Sequence, residues 1–155
     1  MESNKFRIRI ELPNSHRFLN VAGLGIDAIL NRLDDLIPGA NKVSREVQVA
    51  AQEICANVVD HAYKEGEDHI MAMEIHIDIV DPTLEIHVYD EGREFNKALV
   101  KEPALGQLQE GGFGLYFAKK LMDDVQYHRE GNRNHWLLVK KLEVDTSKSE
   151  LSPLI

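Results

Sequence analysis

The stretch Glu110-Gly111-Gly112-Phe113-Gly114-Leu115 sets three glycines directly before a run that reads as a helix. Backbone without Cβ atoms lets a ligand come close, and the orphan N–H groups of a helix start favour an anion, so this is a candidate phosphate cradle. Standing alone, it is equally an ordinary helix start. It is neither a Walker A loop nor a dinucleotide fingerprint, because no Gly-Lys-Ser/Thr follows and no strand immediately precedes it. Glu53 and Asn57 lie four residues apart in a helical pattern and project from nearly the same face, with Asp60 and His61 extending the ridge. A carboxylate beside an amide can orient a nucleophile and complete a Mg²⁺ shell. A solvated helix face has the same spacing. Asp90-Glu91-Gly92 follows an alternating segment, where an acid can accept a hydrogen bond from a ligand amine or close a turn.

Other reactive residue types point to no chemistry of their own. The histidines His16, His61, His69, His76, His87, His128 and His135 form no local metal-ligand motif. His76 and His87 could face each other across a hairpin, and a wet sheet face accounts for both. The single Cys55 sits among apolar helix positions and reads as core; one cysteine excludes an intramolecular disulfide and any multi-cysteine metal site.

The elements that must position these residues follow from periodicity. Phe6, Ile8, Ile10 and Leu12 alternate with charged residues, a strand closed by Pro13-Asn14-Ser15. From His16 to Leu36 apolar residues recur every three or four, an amphipathic helix stopped by Pro38-Gly39. Ser44 is the expected N-cap of a second helix running to about Lys64 and carrying Glu53 and Asn57. Met71 to Ile79 and Leu84 to Tyr89 alternate around Asp81-Pro82 and predict a hairpin with one wet face. Asp90 to Glu110 has no sustained period; Phe113 to Asp123 reads as a helix. Val125 to Tyr127 and His135 to Leu142 read as strands around Glu130-Gly131-Asn132-Arg133. The expected fold is α+β, a two-layer α/β sandwich with a mixed, mostly antiparallel sheet covered on one face by about three helices.

The chain has 155 residues, 43% hydrophobic and 28% charged, enough for one ordinary domain that buries roughly 68–70% of its unfolded surface. Residues 1–142 are expected to form that domain, with 143–155 a polar tail. A formal net charge of -8, from 18 basic and 26 acidic side chains, opposes direct nucleic-acid binding through phosphates. No segment approaches the roughly 18 uncharged apolar residues of a spanning helix, and no signal-peptide h-region opens the chain. These features predict a cytoplasmic protein with no membrane contact.

Taken in order, the three signals resemble the boxes of the GHKL (Bergerat-fold) ATP-binding superfamily. Glu53 to Tyr63 is similar to its N box, Asp90-Glu91-Gly92 to its first glycine box, and Gly111-Gly112-Phe113-Gly114-Leu115 to its second. More narrowly, Asn57 to Tyr63, Leu121-Met122-Asp123-Asp124-Val125, and Gly131-Asn132 followed by Leu137-Leu138-Val139-Lys140 resemble the RsbW-type anti-sigma factor serine kinases. The resemblance spans roughly Phe6 to Leu142. It implies a Bergerat sandwich holding ATP and Mg²⁺, with Glu53 as the general base and Asn57 as the Mg²⁺ ligand. Asp90 would accept from the adenine amino group, and Gly92 would let the chain pass close to the base. Gly111, Gly112 and Gly114 would cradle the phosphates alongside Phe113 and Leu115, and Phe95 to Glu110 would form a lid. Asp60 stands where the family more often has Glu, and the proline often found after the first glycine box is missing from Phe95-Asn96-Lys97.

The activity so implied is transfer of phosphate to a serine of a STAS-domain anti-sigma factor antagonist, with sequestration of a sigma factor or another regulator. The alternative is a non-catalytic nucleotide-binding module that sequesters a regulatory partner; Glu53 favours the kinase, because binding ATP needs no base. The oligomeric state is left open, a homodimer included.

Overall fold

A computed structural model describes residues 4–63, 68–96 and 113–144. Its strands are β1 (Lys5–Pro13), β2 (Ile70–Asp78), β3 (Thr83–Asp90), β4 (Asp124–Glu130) and β5 (Arg133–Lys141). They form one sheet in the order β1-β2-β3-β5-β4. Each neighbouring pair is antiparallel, which narrows the expected mixed sheet to an antiparallel one among the described residues. The helices are α1 (Leu19–Leu33), α2 (Ser44–His61) and α3 (Gly114–Leu121).

Alternation explains the layers. Met71, Met73, Ile75 and Ile77 of β2, Leu84, Ile86 and Val88 of β3, and Trp136 and Leu138 of β5 are all buried and share the face that meets Ile26, Leu30, Val47 and Ile54 of the helices. Lys140 links the layers at its edge: its Nζ donates to Glu46 Oε2 of α2 at 2.7 Å and to the Leu121 carbonyl of α3 at 2.6 Å. Phe6 and Ile8 belong to the same face yet stay 39% exposed, because β1 is the sheet edge.

Three local expectations need correction. The predicted first helix begins as a 3-10 turn at His16–Phe18 and becomes α-helical only over Leu19–Leu33; Ser15 Oγ accepts from Arg17 N at 3.2 Å. Ser44 does not cap α2. It is the first helical residue, after a 3-10 turn at Ala40–Val43, and its hydroxyl donates to Asp27 Oδ1 of α1 at 2.7 Å. The wet face of the hairpin is partly closed: Glu74 and His87 are buried there under neighbouring charged and aromatic side chains. The β4–β5 turn follows its sequence, since Gly131 takes φ 59° at the first central position of a two-residue loop, where glycine is favoured.

Candidate functional site

The residues singled out by the sequence meet where α2 and α3 approach the end of the sheet. Glu53 and Asn57 lie one turn apart on α2, both partly buried. Glu53 faces the start of α3: a Cβ placed on Gly114 would stand 2.5 Å from Glu53 Oε2 and 3.4 Å from its Cβ and Cδ. The α3 backbone at Gly114 thus runs directly against the carboxylate. Phe113 precedes α3 with no side-chain cap, and Leu115 is buried beneath it. Gly111 and Gly112 lie outside the described residues, as does the expected lid from residue 97 onward.

Asp90 ends β3 on the helix-facing side and is 3% exposed. Its Oδ1 accepts from Asn134 Nδ2 at 2.8 Å and from the Gly92 amide at 2.9 Å. Burial pushes its carboxyl above the usual range, with the Asn134 and Gly92 hydrogen bonds opposing that shift. Gly92 owes its identity to a second close approach, because a Cβ there would collide with the Ala62 carbonyl and lie 2.6 Å from Ala62 Cβ at the end of α2. The Arg93 amide donates to that same carbonyl at 2.6 Å, and the Glu91 amide donates to Tyr63 Oη at 2.8 Å.

Asn57, Val58, His61 and Ala62 of the α2 end line one cleft with Asp90, Arg93, Phe95, Asn134 and Trp136. Its open volume is about 10 Å³, room for about one water. Phe95 packs within this lining, edge-on to Trp136 at 4.9 Å and to Tyr127 at 5.8 Å, with its amide donating to Tyr127 Oη at 2.9 Å. Asn134 is the hub: Nδ2 also donates to the Arg93 carbonyl at 2.9 Å, while Oδ1 accepts from Arg129 Nη1 at 2.8 Å and from Tyr127 Oη. Arg129 Nη1 further donates to the Gly92 carbonyl at 2.9 Å.

Sequence reasoning missed this support. Asn134, Arg129, Tyr127 and Trp136 sit on β4 and β5 and hold the first glycine box from the far side. One signal was available: Asn134 has the same parity as Trp136 and Leu138, which puts a polar side chain next to apolar ones on the helix-facing side of the strand. Cys55, by contrast, is core as expected, fully buried with its thiol pushed up to about 12 by burial.

A buried carboxylate, an aromatic wall and an amide one turn from a carboxylate suit a purine nucleotide and its cation in donor type. The carboxylate can take an exocyclic amine, the rings can stack on a base, and the amide oxygen is a hard ligand of the kind Mg²⁺ takes. The fit requires the cleft to widen, because about 10 Å³ does not hold a base.

Comparison with known proteins identifies the family. Residues 23–140 match the family model of the histidine kinase-like ATPase domain. The serine-protein kinase RsbW of Halalkalibacterium halodurans is 33% identical over 132 residues, covering 77% of this chain and 74% of the relative. That of Oceanobacillus iheyensis is 31% identical over 137 residues, with 83% and 82% covered. In fold, the chain resembles the crystal structure of the RsbU and RsbW domains of Rv1364c from Mycobacterium tuberculosis, at a TM-score of 0.64 and 14% identity. The match covers 88% of this chain and spans about a third (32%) of that longer one. The chain belongs to the histidine kinase-like ATPase domain family, among relatives of the serine-protein kinase RsbW.

Proposed function

We propose that the protein is an ATP-dependent protein-serine kinase that phosphorylates a STAS-domain anti-sigma factor antagonist and sequesters a sigma factor or another regulator in the cytoplasm. The observation that carries the kinase reading is the packing of Glu53 against the Gly114 backbone, one turn from Asn57. A nucleotide-binding module has no use for a carboxylate at the start of the phosphate cradle, whereas a phosphotransferase needs one to accept the hydroxyl proton of its acceptor.

In this reading Glu53 orients the acceptor serine and takes its proton. Asn57 holds Mg²⁺, which neutralises charge on the phosphates when bound. Asp90 accepts the adenine amino group, and Asn134 and the Gly92 amide keep that carboxylate aimed. The backbone of Gly111, Gly112, Phe113, Gly114 and Leu115 surrounds the phosphates.

The test is transfer from labelled ATP to a STAS-domain protein that the kinase demonstrably binds. Glu53→Gln keeps the shape and removes the base, so transfer should fall by about 10²–10⁴-fold, while Mg-ATP affinity changes little. Transfer at the parent rate would remove the role of Glu53. A parent protein that binds nucleotide and partner but transfers no phosphate would instead be a sequestering module.

A further inference from the structure

The sheet face turned away from the helices carries a cluster that the nucleotide site does not use. Strand alternation places Glu74 and His76 of β2, Glu85, His87 and Tyr89 of β3, and His135 of β5 on this face. The His76 and His87 rings lie 4.2 Å apart between centroids, and one donor atom from each of His76, Glu85 and His87 falls within 4.8 Å of the others. Glu85 Oε2 stands 2.9 Å from His87 Nε2 and 4.0 Å from His76 Nδ1.

The outward ring atoms are engaged separately. His76 Nε2 is 2.9 Å from Glu74 Oε1, and that carboxylate is held by Arg9 Nη1, whose donor lies 2.6 Å from Oε2. An ionised carboxylate only accepts, so in this contact Glu74 is the acceptor and His76 Nε2 the donor. This fixes the neutral tautomer with its lone pair on Nδ1, facing Glu85. His87 Nδ1 is 2.8 Å from His135 Nε2, which orients the ring so that Nε2 also faces Glu85. A metal-binding histidine with its second nitrogen fixed by a carboxylate or another polar partner is the usual outer arrangement of such sites.

We propose that the open face of the sheet holds a divalent transition-metal ion of the Zn²⁺ type, through His76 Nδ1, Glu85 Oε2 and His87 Nε2. Bonds of about 2.0–2.2 Å to nitrogen and oxygen put ligand atoms of a tetrahedral site about 3.3–3.6 Å apart, and the two separations here lie on either side of that span. Two imidazoles and one carboxylate select Zn²⁺, Ni²⁺ or Cu²⁺ over Mg²⁺, which takes oxygen ligands in octahedral geometry. A groove of about 440 Å³ bordered by Lys5, Arg7, His76, Asp78, Thr83 and Glu85 gives the ion an entry and room for a water as fourth ligand. The ligands come from β2 and β3, inner strands of the sheet, so the ion would clip the hairpin that leads into Asp90.

The test is titration of the tag-free full chain with Zn²⁺ alone against a chromophoric indicator, in excess Mg²⁺ and without nucleotide. One Zn²⁺ per chain should bind with a Kd of about 1 µM or tighter. His76→Gln and Glu85→Gln, at partly exposed side chains, should each weaken binding at least tenfold, Glu74→Gln by about tenfold through the ring it positions, and His128→Ala not at all. Tm should rise with Zn²⁺ in the parent and in His128→Ala, but not in His76→Gln. No saturable binding below about 100 µM, or affinity unchanged in both His76→Gln and Glu85→Gln, would reduce the cluster to a hydrogen-bonded network. The site lies across the sheet from Glu53 and Asn57, so its failure leaves the kinase reading intact and the converse holds.

Discussion

In the proposed function, Asp90 is a side chain whose burial sets its role against stability. Its folded-state carboxyl titrates above the ordinary range because burial disfavours the charged form. The stability it contributes is thus fully present below the unfolded value and lost as pH rises through the folded one. Asp90→Asn keeps an acceptor oxygen for Asn134 and Gly92 and removes the charge. This variant should melt higher than the parent at neutral pH, converge with it as the solution is acidified, and bind ATP more weakly; calorimetry with and without nucleotide reads all three. The two close-packed glycines separate in the same way. Gly92→Ala drives a Cβ into the Ala62 backbone and should cost about 1–3 kcal/mol of stability in denaturant unfolding. Gly114→Ala meets mainly the movable end of Glu53, so unfolding should change by less than about 1 kcal/mol while phosphate transfer falls, because the carboxylate is displaced. The placement of Glu53, Asn57 and Asp90 was legible because it is local in sequence: a helix repeat and a strand end. Asn134 was not. Its three loop contacts join residues more than forty positions apart, and the strand containing it was read as starting one residue later, at His135.

Among the elements, the order strand, helix, helix, strand, strand, helix, strand, strand was readable, chiefly from periods of two or 3.6 in the longer elements. Element starts were harder. Ser44 has the type and position of a cap, yet the chain enters α2 through a 3-10 turn that takes up the preceding residues, and the freed hydroxyl turns to Asp27. Gln48 Nε2 donates to the same hydroxyl at 2.9 Å, making Ser44 a bridge between two helices rather than a terminus. Ser44→Ala should therefore destabilise by about 1.5–3 kcal/mol, the range for a hydrogen bond to a charged group. In a double-mutant cycle with Asp27→Ala most of that cost should disappear; a purely additive pair would return Ser44 to a helix-end role.

At the scale of the molecule, the cleft between the α2 end and the sheet is narrow among the described residues, and Phe95 of its lining packs on Tyr127 and Trp136. About 10 Å³ does not hold a base, so a nucleotide that places its base against Asp90 is expected to move Phe95 outward or the α2 end away from β5. The Gly92–Phe95 segment is tied to Arg129, Asn134 and Tyr127 through its backbone, which leaves the Phe95 ring the cheaper part to displace. Sequence showed a loop here and no periodicity. It could not show the packing of Phe95, which depends on an aromatic contact between residues forty-one positions apart. Trp136 is the single tryptophan of the chain and is 3% exposed at this contact, so its emission reports the state of the cleft directly. Adding Mg-ATP should shift or quench that emission in step with binding measured by calorimetry. Phe95→Ala should begin with the altered emission and bind nucleotide more tightly, since the ring no longer has to be displaced. Calorimetric binding with unchanged Trp136 emission would mean that the nucleotide enters without opening this cleft, and the assignment of Asp90 as its adenine contact would fall with it.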